Sequence, residues 1–327
     1  MIENIKQLGK RNSGPVEVKA PTLPEHVGRP QGDGDAQRVC FLSGHARSGT
    51  NWVGSLLALH PKVHVRGEYH FEALLRGFDD FFRREWHVAS GGPAREVAER
   101  YFIETVRQTI LATAHEKPSA TWLCDQTPRR IMALVPGARH ITVVRDPRDV
   151  IVSWTYHVLR CGPEVVPAIV EREQRGTIRK LMNRYKKDAD HFERHPEELL
   201  DDEQWVRHMA RGWATMRQRD RETIRLMEAG ELDGRAMEIN YEDLRGDLAT
   251  HRPKLYEFLD LDPGEADAPS SETKTSAGFE RTDTKSFYRA GVAGGWMKYM
   301  HERCLHWVWD AAGEEMEHAG YTLYQPA

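Results

Sequence analysis

Length, composition and charge exclude several classes of protein before any motif is considered. The chain has 327 residues, with 39% hydrophobic residues, 29% charged residues and a formal net charge of −4. These values are typical of a globular protein with a large core, and the small net charge argues against a general nucleic-acid-binding protein. No apolar run approaches the ~20 residues of a membrane span. Scattered cysteines without a CxxC pair, and an N-terminus without an apolar signal core, predict reduced thiols and a cytoplasmic protein.

The order of the predicted elements indicates an α/β fold. Residues 1–36 are rich in Gly, Pro and charge and are predicted to form a tail, and residues 37–327 one domain. Apolar and β-branched runs predict strands at residues 39–43, 63–65, 120–124, 140–144 and 236–240. Helical patterns lie at residues 48–60, 74–82, 94–115, 150–159, most of 160–235, a stretch after residue 244 that ends at 258–259, and about 296–318. This alternation predicts three layers, with a central parallel β-sheet flanked by helices in a P-loop NTPase-like topology.

A glycine-rich turn after the first strand is the clearest signal of phosphate binding. The string Gly44-His-Ala-Arg-Ser-Gly49 follows the strand and leads into a helix predicted to begin at Ser48 or Gly49. The backbone N–H groups of such a loop and the positive end of the helix dipole both favour an anion. Arg47 adds a full positive charge inside the loop.

The loop departs from the signature of ATP-using P-loop enzymes. That signature is G-x-x-x-x-G-K-[ST], and Thr50 stands where the lysine belongs. A kinase needs this lysine on the β- and γ-phosphates. The loop therefore favours a related phosphate binder, and an ATP-using P-loop kinase is the second hypothesis.

Four segments, in the right order, resemble the motifs of sulfotransferases that use 3′-phosphoadenosine 5′-phosphosulfate (PAPS). Arg47-Ser-Gly-Thr-Asn-Trp52 resembles the family's 5′-phosphosulfate loop. Arg145-Asp-Pro, with Ser153 eight residues after the arginine, resembles its 3′-phosphate motif. Residues 240–244 resemble its Y-E-D-L segment near the adenine, and residues 288–296 the loop that closes over the 3′-phosphate. The resemblance covers residues 39 to about 310.

The resemblance implies transfer of a sulfuryl group from PAPS to a hydroxyl or amine, with release of adenosine 3′,5′-bisphosphate and no metal. Arg47 would also be catalytic, because positive charge stabilises the leaving phosphate. The acceptor is predicted to be a small molecule or a carbohydrate, and the oligomeric state, including a homodimer, stays open. The residues implied in cofactor binding are Arg47, Ser48, Gly49, Thr50, Asn51, Trp52, Arg145, Ser153, Tyr241, Arg289, Ala290 (a lysine in the family) and Gly291.

The predicted catalytic base also comes from a resemblance. Residues 59–71 are similar to the segment after the second strand in the glycosaminoglycan-modifying branch of the family, where a glutamate is the base. Glu68 matches that glutamate, and His70 is the alternative base. Enclosure of Glu68 would raise the pKa of its carboxyl by desolvation, which suits a base working near neutral pH.

One departure from that branch concerns the charge beside the transferred group. Gln126 stands where the branch has a lysine, so another cation would have to substitute for it: Arg129, Arg130 or Lys298. Residues 160–235 are predicted to form the acceptor side and residues 262–295 a mobile loop or lid. A non-catalytic nucleotide-binding module with a sulfotransferase-like fold is the third hypothesis.

Several site residues also have a simpler structural interpretation. Trp52 and Tyr241 would suit a core, and Glu68 would suit an exposed surface. Arg145 could pair with a neighbouring aspartate, and Ser153 could bond within its own helix. The sequence alone does not decide between these interpretations.

Overall fold

The computed structural model describes most of the chain between residues 38 and 324. The described residues are 38–69, 71, 74, 77, 80, 93–126, 135–161, 170, 172–270 and 291–324, without the side chains of 93–97, 99 and 173. Internal contacts divide the chain into two units, Met1–Ala36 and Gln37–Ala327, and the described residues belong to the second. Some predictions fall outside the described residues, namely the tail at 1–36, most of the helix at 74–82, and residues 271–290 of the lid.

The described part of the chain contains a five-stranded parallel sheet. Its order is β2-β3-β1-β4-β5, and each neighbouring pair is parallel. The carboxyl ends of parallel strands meet at one edge of a sheet, where α/β proteins bind their ligands. The fold is therefore the predicted α/β architecture with a P-loop-like topology. The strands are β1 Arg38–Gly44, β2 Val63–Gly67, β3 Trp122–Asp125, β4 Arg139–Val144 and β5 Arg235–Asn240.

Helices cover both faces of this sheet. Within the described residues, no helix is both long enough and apolar enough to cross a membrane. The α-helices are α1 Thr50–Leu57, α2 Pro93–Leu111, α3 Pro147–Cys161, α4 Arg175–Lys187, α5 His191–Arg194, α6 Glu203–Glu228, α7 Tyr241–Gly246, α8 Leu248–Phe258 and α9 Glu302–His318.

Two predicted helix starts are wrong by three residues or more. Helix α3 begins at Pro147 instead of residue 150, because the fixed φ of proline suits the first helical turn. Helix α9 begins at Glu302 instead of near Trp296. A separate 3-10 turn, Gly295–Lys298, precedes it, and His301 caps α9 by accepting a bond from the backbone N–H of Cys304.

The core is built on both faces of the central strand β1. Cys40 and Leu42 belong to an apolar cluster with α1 and α8, whereas Val39 and Phe41 belong to a cluster with α2. This alternation is the two-residue period of a strand that is buried on both faces. A third cluster joins α3, α4, α6 and α9. Strand β1 is thereby fixed in the middle of the protein, and the loop that follows it has a rigid base.

Candidate active site

The loop between β1 and α1 has a backbone that only small residues permit. Gly49 has φ 97°, and a Cβ placed there would lie 2.6 Å from the ring of Tyr241. At Gly44 a Cβ would lie 2.6 Å from the carbonyl oxygen of Val143 on β4. Gly49 is the N-cap of α1, which starts at Thr50. The first N–H groups of α1 therefore follow the loop directly, as an anion site at a helix N-terminus requires.

Ser48 presents an unsatisfied hydroxyl inside this loop. Its side chain is fully buried, and its Oγ has no hydrogen-bond partner among the described residues. Buried hydroxyls are almost always hydrogen-bonded, so such an atom calls for a ligand. A phosphate oxygen would satisfy it, and the loop residues therefore fit the phosphosulfate group that the sequence resemblance implies.

Arg47 connects the loop to the second predicted motif. Its φ of 75° is left-handed, which is uncommon for a residue other than glycine. Its Nε donates to Ser153 Oγ on α3 at 3.2 Å, and its carbonyl oxygen accepts from Arg145 at 3.2 Å. The sequence predicts that Arg145 lies beside Ser153. In the structure both residues contact Arg47, and it is Arg47 that donates to the Ser153 hydroxyl.

Arg145 is buried at the end of β4, among groups that hold its charge. Its Nε has no hydrogen-bond partner among the described residues, and its guanidinium lies 4.4 Å from the centre of the Tyr241 ring. Burial lowers the pKa of Arg145, but Tyr241, Asp149 and Glu242 together outweigh this effect and raise it. The guanidinium therefore stays charged, and it keeps one free donor for an anion.

The segment that follows Gly291 is held against the Arg145 turn. Arg145 donates to the carbonyl oxygen of Val292 at 3.0 Å, and Tyr241 Oη donates to that of Gly291 at 3.0 Å. Asp149 accepts from the backbone N–H groups of Gly294 and Trp296 at 2.8 and 2.9 Å. The predicted closing segment therefore reaches the site.

Trp52 and Tyr241 form the wall of the site next to Arg145. Tyr241 is buried in the core, Trp52 is half-buried, and the two rings meet edge to face at 5.3 Å. The guanidinium of Arg245 lies 5.1 Å from the Trp52 ring, within cation–π distance. Sequence reasoning missed Arg245. Arg245 could have been found from its four-residue spacing from Tyr241, which places both residues on one face of α7.

Glu68 lies one residue after β2, at the same edge of the sheet. The pairing of β2 with β3 shifts register between Val65 and Gly67, as often happens beside active sites. The backbone N–H of Tyr69 donates to Asp125 Oδ1 at 3.1 Å, which fixes the backbone on one side of Glu68. The Glu68 side chain is exposed, because β2 is an edge strand. The predicted enclosure of its carboxyl is therefore wrong.

Gln126 connects the end of β3 to the phosphate loop. Its backbone N–H donates to the carbonyl oxygen of Gly67 at 2.9 Å. Its side-chain Nε2 lies 3.4 Å from the carbonyl oxygen of Thr50. The amide packs so closely on α1 that a Cβ at Gly54 would lie 1.8 Å from it. Lys298, one of the cations suggested to replace the lysine, donates through its Nζ to Glu193 Oε2 at 2.6 Å.

His157 follows Ser153 by one turn of α3 and was also missed by sequence reasoning. Burial, with the charges of Arg47 and Arg160, lowers the pKa of His157 to about 4. Its imidazole is therefore neutral at physiological pH and adds no charge beside Arg47.

Not all predicted site residues belong to the described part of the chain. His70, Arg129, Arg130, Arg289 and Ala290 lie outside it. Thr50 and Asn51 form the first turn of α1 and are half-buried.

A separate group of residues places donor atoms at metal-binding distances. Donor atoms of His195, Glu197 and Glu198 lie within 4.8 Å of one another. Glu198 already accepts from Arg184 at 2.7 Å and lies 3.0 Å from His191 Nε2. Its carboxylate is therefore engaged by the protein itself, and the group gives no reason to assign a metal.

Comparison with known proteins agrees with this arrangement. A model described as the sulfotransferase family matches residues 40–207, which is half of the chain and includes the loop, Arg145 and Ser153. The chain belongs to the sulfotransferase family. No curated protein matches this chain. One similar solved structure is retinol dehydratase in complex with androsterone and inactive cofactor PAP, at 16% identity and a TM-score of 0.38. That match covers 86% of this chain and 82% of the other chain.

Substitution of Gly49 by alanine is expected to destabilise the protein by about 1–3 kcal/mol. The added Cβ meets the ring of buried Tyr241, and the positive φ is strained for any L side chain. Urea unfolding measures the change. Gly212 on α6 is the control, since a Cβ there meets nothing within 4 Å and alanine favours a helix. Equal stability of Gly49→Ala and wild type would contradict the close approach.

Proposed function

We propose that this protein binds PAPS and transfers its sulfuryl group to a hydroxyl or amine of a small-molecule or carbohydrate acceptor. The observation that carries the proposal is the junction of the two phosphate motifs at Arg47. Its side chain bonds to Ser153, and its carbonyl oxygen accepts from Arg145. A nucleotide with phosphate groups at two positions requires such a double site, whereas ATP does not.

The two ends of the nucleotide are assigned to different residues. Ser48, Arg47 and the N–H groups of the loop would hold the 5′-phosphosulfate, where positive charge stabilises the leaving phosphate. Arg145 and Ser153 would hold the 3′-phosphate, because a guanidinium fork and a hydroxyl suit phosphate oxygens. The remaining assigned residues are Gly49, Thr50 and Asn51 at the 5′ end, Arg289, Ala290 and Gly291 at the 3′ end, and Trp52 and Tyr241 at the adenine.

Glu68 is our candidate for the base that takes the acceptor's proton, with His70 as the alternative. Its support is position, since Tyr69 and Gly67 on either side of it are bonded to the end of β3. Gln126, at that same strand end, reaches α1 beside the phosphate loop. An exposed carboxylate at this place is accessible to an acceptor that approaches from solvent. The helical region 160–235 and the segment 262–295 are proposed as the acceptor side and the lid.

Calorimetric titration tests the proposed donor. We expect adenosine 3′,5′-bisphosphate, the product of transfer from PAPS, to bind without a metal and more tightly than ATP with Mg²⁺. The absence of the phosphate-binding lysine at Thr50 is the reason for weak ATP binding. Preference for ATP with Mg²⁺ would overturn the proposal in favour of a kinase.

One observation favours a second candidate, a nucleotide-binding module without transferase activity. The neutral amide of Gln126 occupies the strand end, and Lys298 is paired with Glu193. Incubation with radiolabelled PAPS and a library of hydroxyl- and amine-containing acceptors separates the two candidates. Transfer of label establishes the enzyme and its acceptor class, whereas tight nucleotide binding without transfer to any acceptor favours the module.

A further inference from the structure

The Glu242 side chain joins the Arg145 turn to the C-terminal segment of the chain. Its Oε1 accepts from the backbone N–H of Asp146 at 3.0 Å, and its Oε2 lies 2.9 Å from the hydroxyl of Tyr321. Both side chains are buried, Glu242 with 7% and Tyr321 with 1% of its surface exposed. The carboxyl therefore sets the backbone one residue away from Arg145, and little solvent reaches it to stabilise a charge.

The hydrogen bonds of this group can be completed with Glu242 either protonated or ionised. The Tyr321 hydroxyl lies 3.1 Å from Asn240 Oδ1 as well as 2.9 Å from Glu242 Oε2. A hydroxyl has one proton and can donate to only one of these oxygens. If Glu242 carries a proton, it donates to Tyr321 while Tyr321 donates to Asn240, and every buried oxygen is satisfied. An ionised Glu242 accepts the Tyr321 proton instead, and the Asn240 amide can then turn its NH2 group to the hydroxyl oxygen.

The charges around Glu242 are balanced before it ionises. Asp146 and Arg148 form a buried ion pair at 2.7 Å, and Asp149 lies 3.8 Å from Arg145. The charged and titratable groups that face Glu242 are Arg145, Asp146, Arg148, Asp149, Arg217 and Tyr321.

Neither Arg217 nor Tyr321 offers a positive charge that would stabilise an ionised Glu242. Arg217 of α6 forms an ion pair with Glu238 at 2.8 Å, and this pair already compensates its charge. Burial, with Glu242 nearby, raises the pKa of Tyr321, which keeps this phenol neutral. An ionised Glu242 would thus add an excess negative charge next to Arg145.

The carboxyl is also close to its titration point at physiological pH. Burial raises the pKa of Glu242 to about 7, although the hydrogen bond from Asp146 and the charge of Arg145 oppose this. A second negative group at Arg145 would move the equilibrium further toward the protonated form.

We propose that Glu242 is a positioning residue that takes up a proton from solvent when the 3′-phosphate binds to Arg145, an inference that rests on the proposed function. The bound state then holds more protons than the free state at and above neutral pH. Affinity is therefore highest below about pH 7 and decreases as the pH rises above it, by up to about tenfold per pH unit. The protonated carboxyl keeps its bond to the Asp146 N–H, so the Arg145 turn keeps its shape.

Titration of the full-length protein with adenosine 3′,5′-bisphosphate, from about pH 6 to about pH 8.5, tests the proposal. Calorimetry in two buffers of different ionisation enthalpy gives the number of protons taken up. We expect uptake of up to about one proton in wild type. Glu242→Gln keeps the shape and the acceptor for Asp146 but cannot titrate, so we expect it to lose the uptake and the decrease of affinity above neutral pH. Glu257→Gln removes an exposed carboxylate from the next helix, α8, and should behave as wild type.

The outcomes separate this proposal from the proposed function. Absence of binding heat in wild type contradicts the nucleotide site itself, and the proton linkage with it. Binding with equal proton uptake in wild type and Glu242→Gln overturns only the role of Glu242. If Glu242→Gln does not fold, infrared difference spectra of wild type with 13C-labelled glutamate decide the question. Nucleotide binding near pH 8 must then increase the absorption of protonated glutamate carboxyl, and no increase overturns the proposal.

Discussion

Replacement of Arg145 by lysine is expected to weaken the binding of adenosine 3′,5′-bisphosphate by about 10- to 150-fold. Hydrogen bonds to charged groups contribute about 1.5–3 kcal/mol, and the lysine ammonium cannot reproduce the guanidinium fork. Lysine retains the positive charge near Asp149, so this substitution tests phosphate geometry and not the loss of a counter-charge. AMP lacks the 3′-phosphate, and its affinity should hardly change. Calorimetric titration with both nucleotides measures the difference.

The matched control is an equally buried arginine outside the site. Arg217 on α6 donates to both carboxylate oxygens of Glu238, at 2.8 and 3.1 Å. Arg217→Lys should lower the free energy of unfolding but leave the ratio of the two nucleotide affinities unchanged. Equal weakening of both nucleotides in Arg145→Lys would show that Arg145 stabilises the fold and does not recognise the 3′-phosphate.

Replacement of Glu68 by glutamine is expected to lower kcat by about 10²- to 10⁴-fold, the usual contribution of a general base. The amide has nearly the same shape but cannot accept the proton of the acceptor hydroxyl. Because Glu68 lies outside the phosphate loop, the affinity for adenosine 3′,5′-bisphosphate should be unchanged. Turnover with saturating PAPS and the acceptor identified by the transfer screen provides the measurement.

Glu116 provides the control for this substitution. It is a carboxylate near β2 that pairs with Arg66 at 3.0 Å and with His64 at 3.3 Å. Glu116→Gln removes a charge from the same region and should leave kcat within about twofold, as for a surface ion pair. Turnover of Glu68→Gln within a few-fold of wild type would transfer the role of base to His70, and His70→Ala would then be the variant to measure.

The architecture could be predicted from sequence because it depends on local patterns. The β-branched run of β4 and the glycine-rich turn after β1 each indicate their structure over a few residues. Parallel strands then bring their carboxyl ends together, so Arg47 and Arg145 had to be neighbours. This reasoning needs only the order of the strands, which the alternation of strands and helices provides.

The partners of individual side chains could not be predicted in the same way. Arg47 and Ser153 are 106 residues apart, and their contact depends on the left-handed backbone at Arg47. The exposure of Glu68 depends on β2 being an edge strand, which the segment around Glu68 does not encode. Glu242 was part of a predicted motif, but its bond to Tyr321 joins two elements with no shared local signal.

The last described residues of the chain are bonded to the Arg145 turn. This contact delays completion of the turn while the protein is being synthesised. Arg148 donates to the carbonyl oxygen of Leu323, which is 175 residues later in the chain. Domains form progressively as the N-terminal part leaves the ribosome, and contacts between distant residues form slowly. The sheet can therefore assemble early, whereas the nucleotide site is completed only after residue 323 has emerged. A nascent chain that is stalled earlier would hold a folded β1 and an Arg145 turn without this bond.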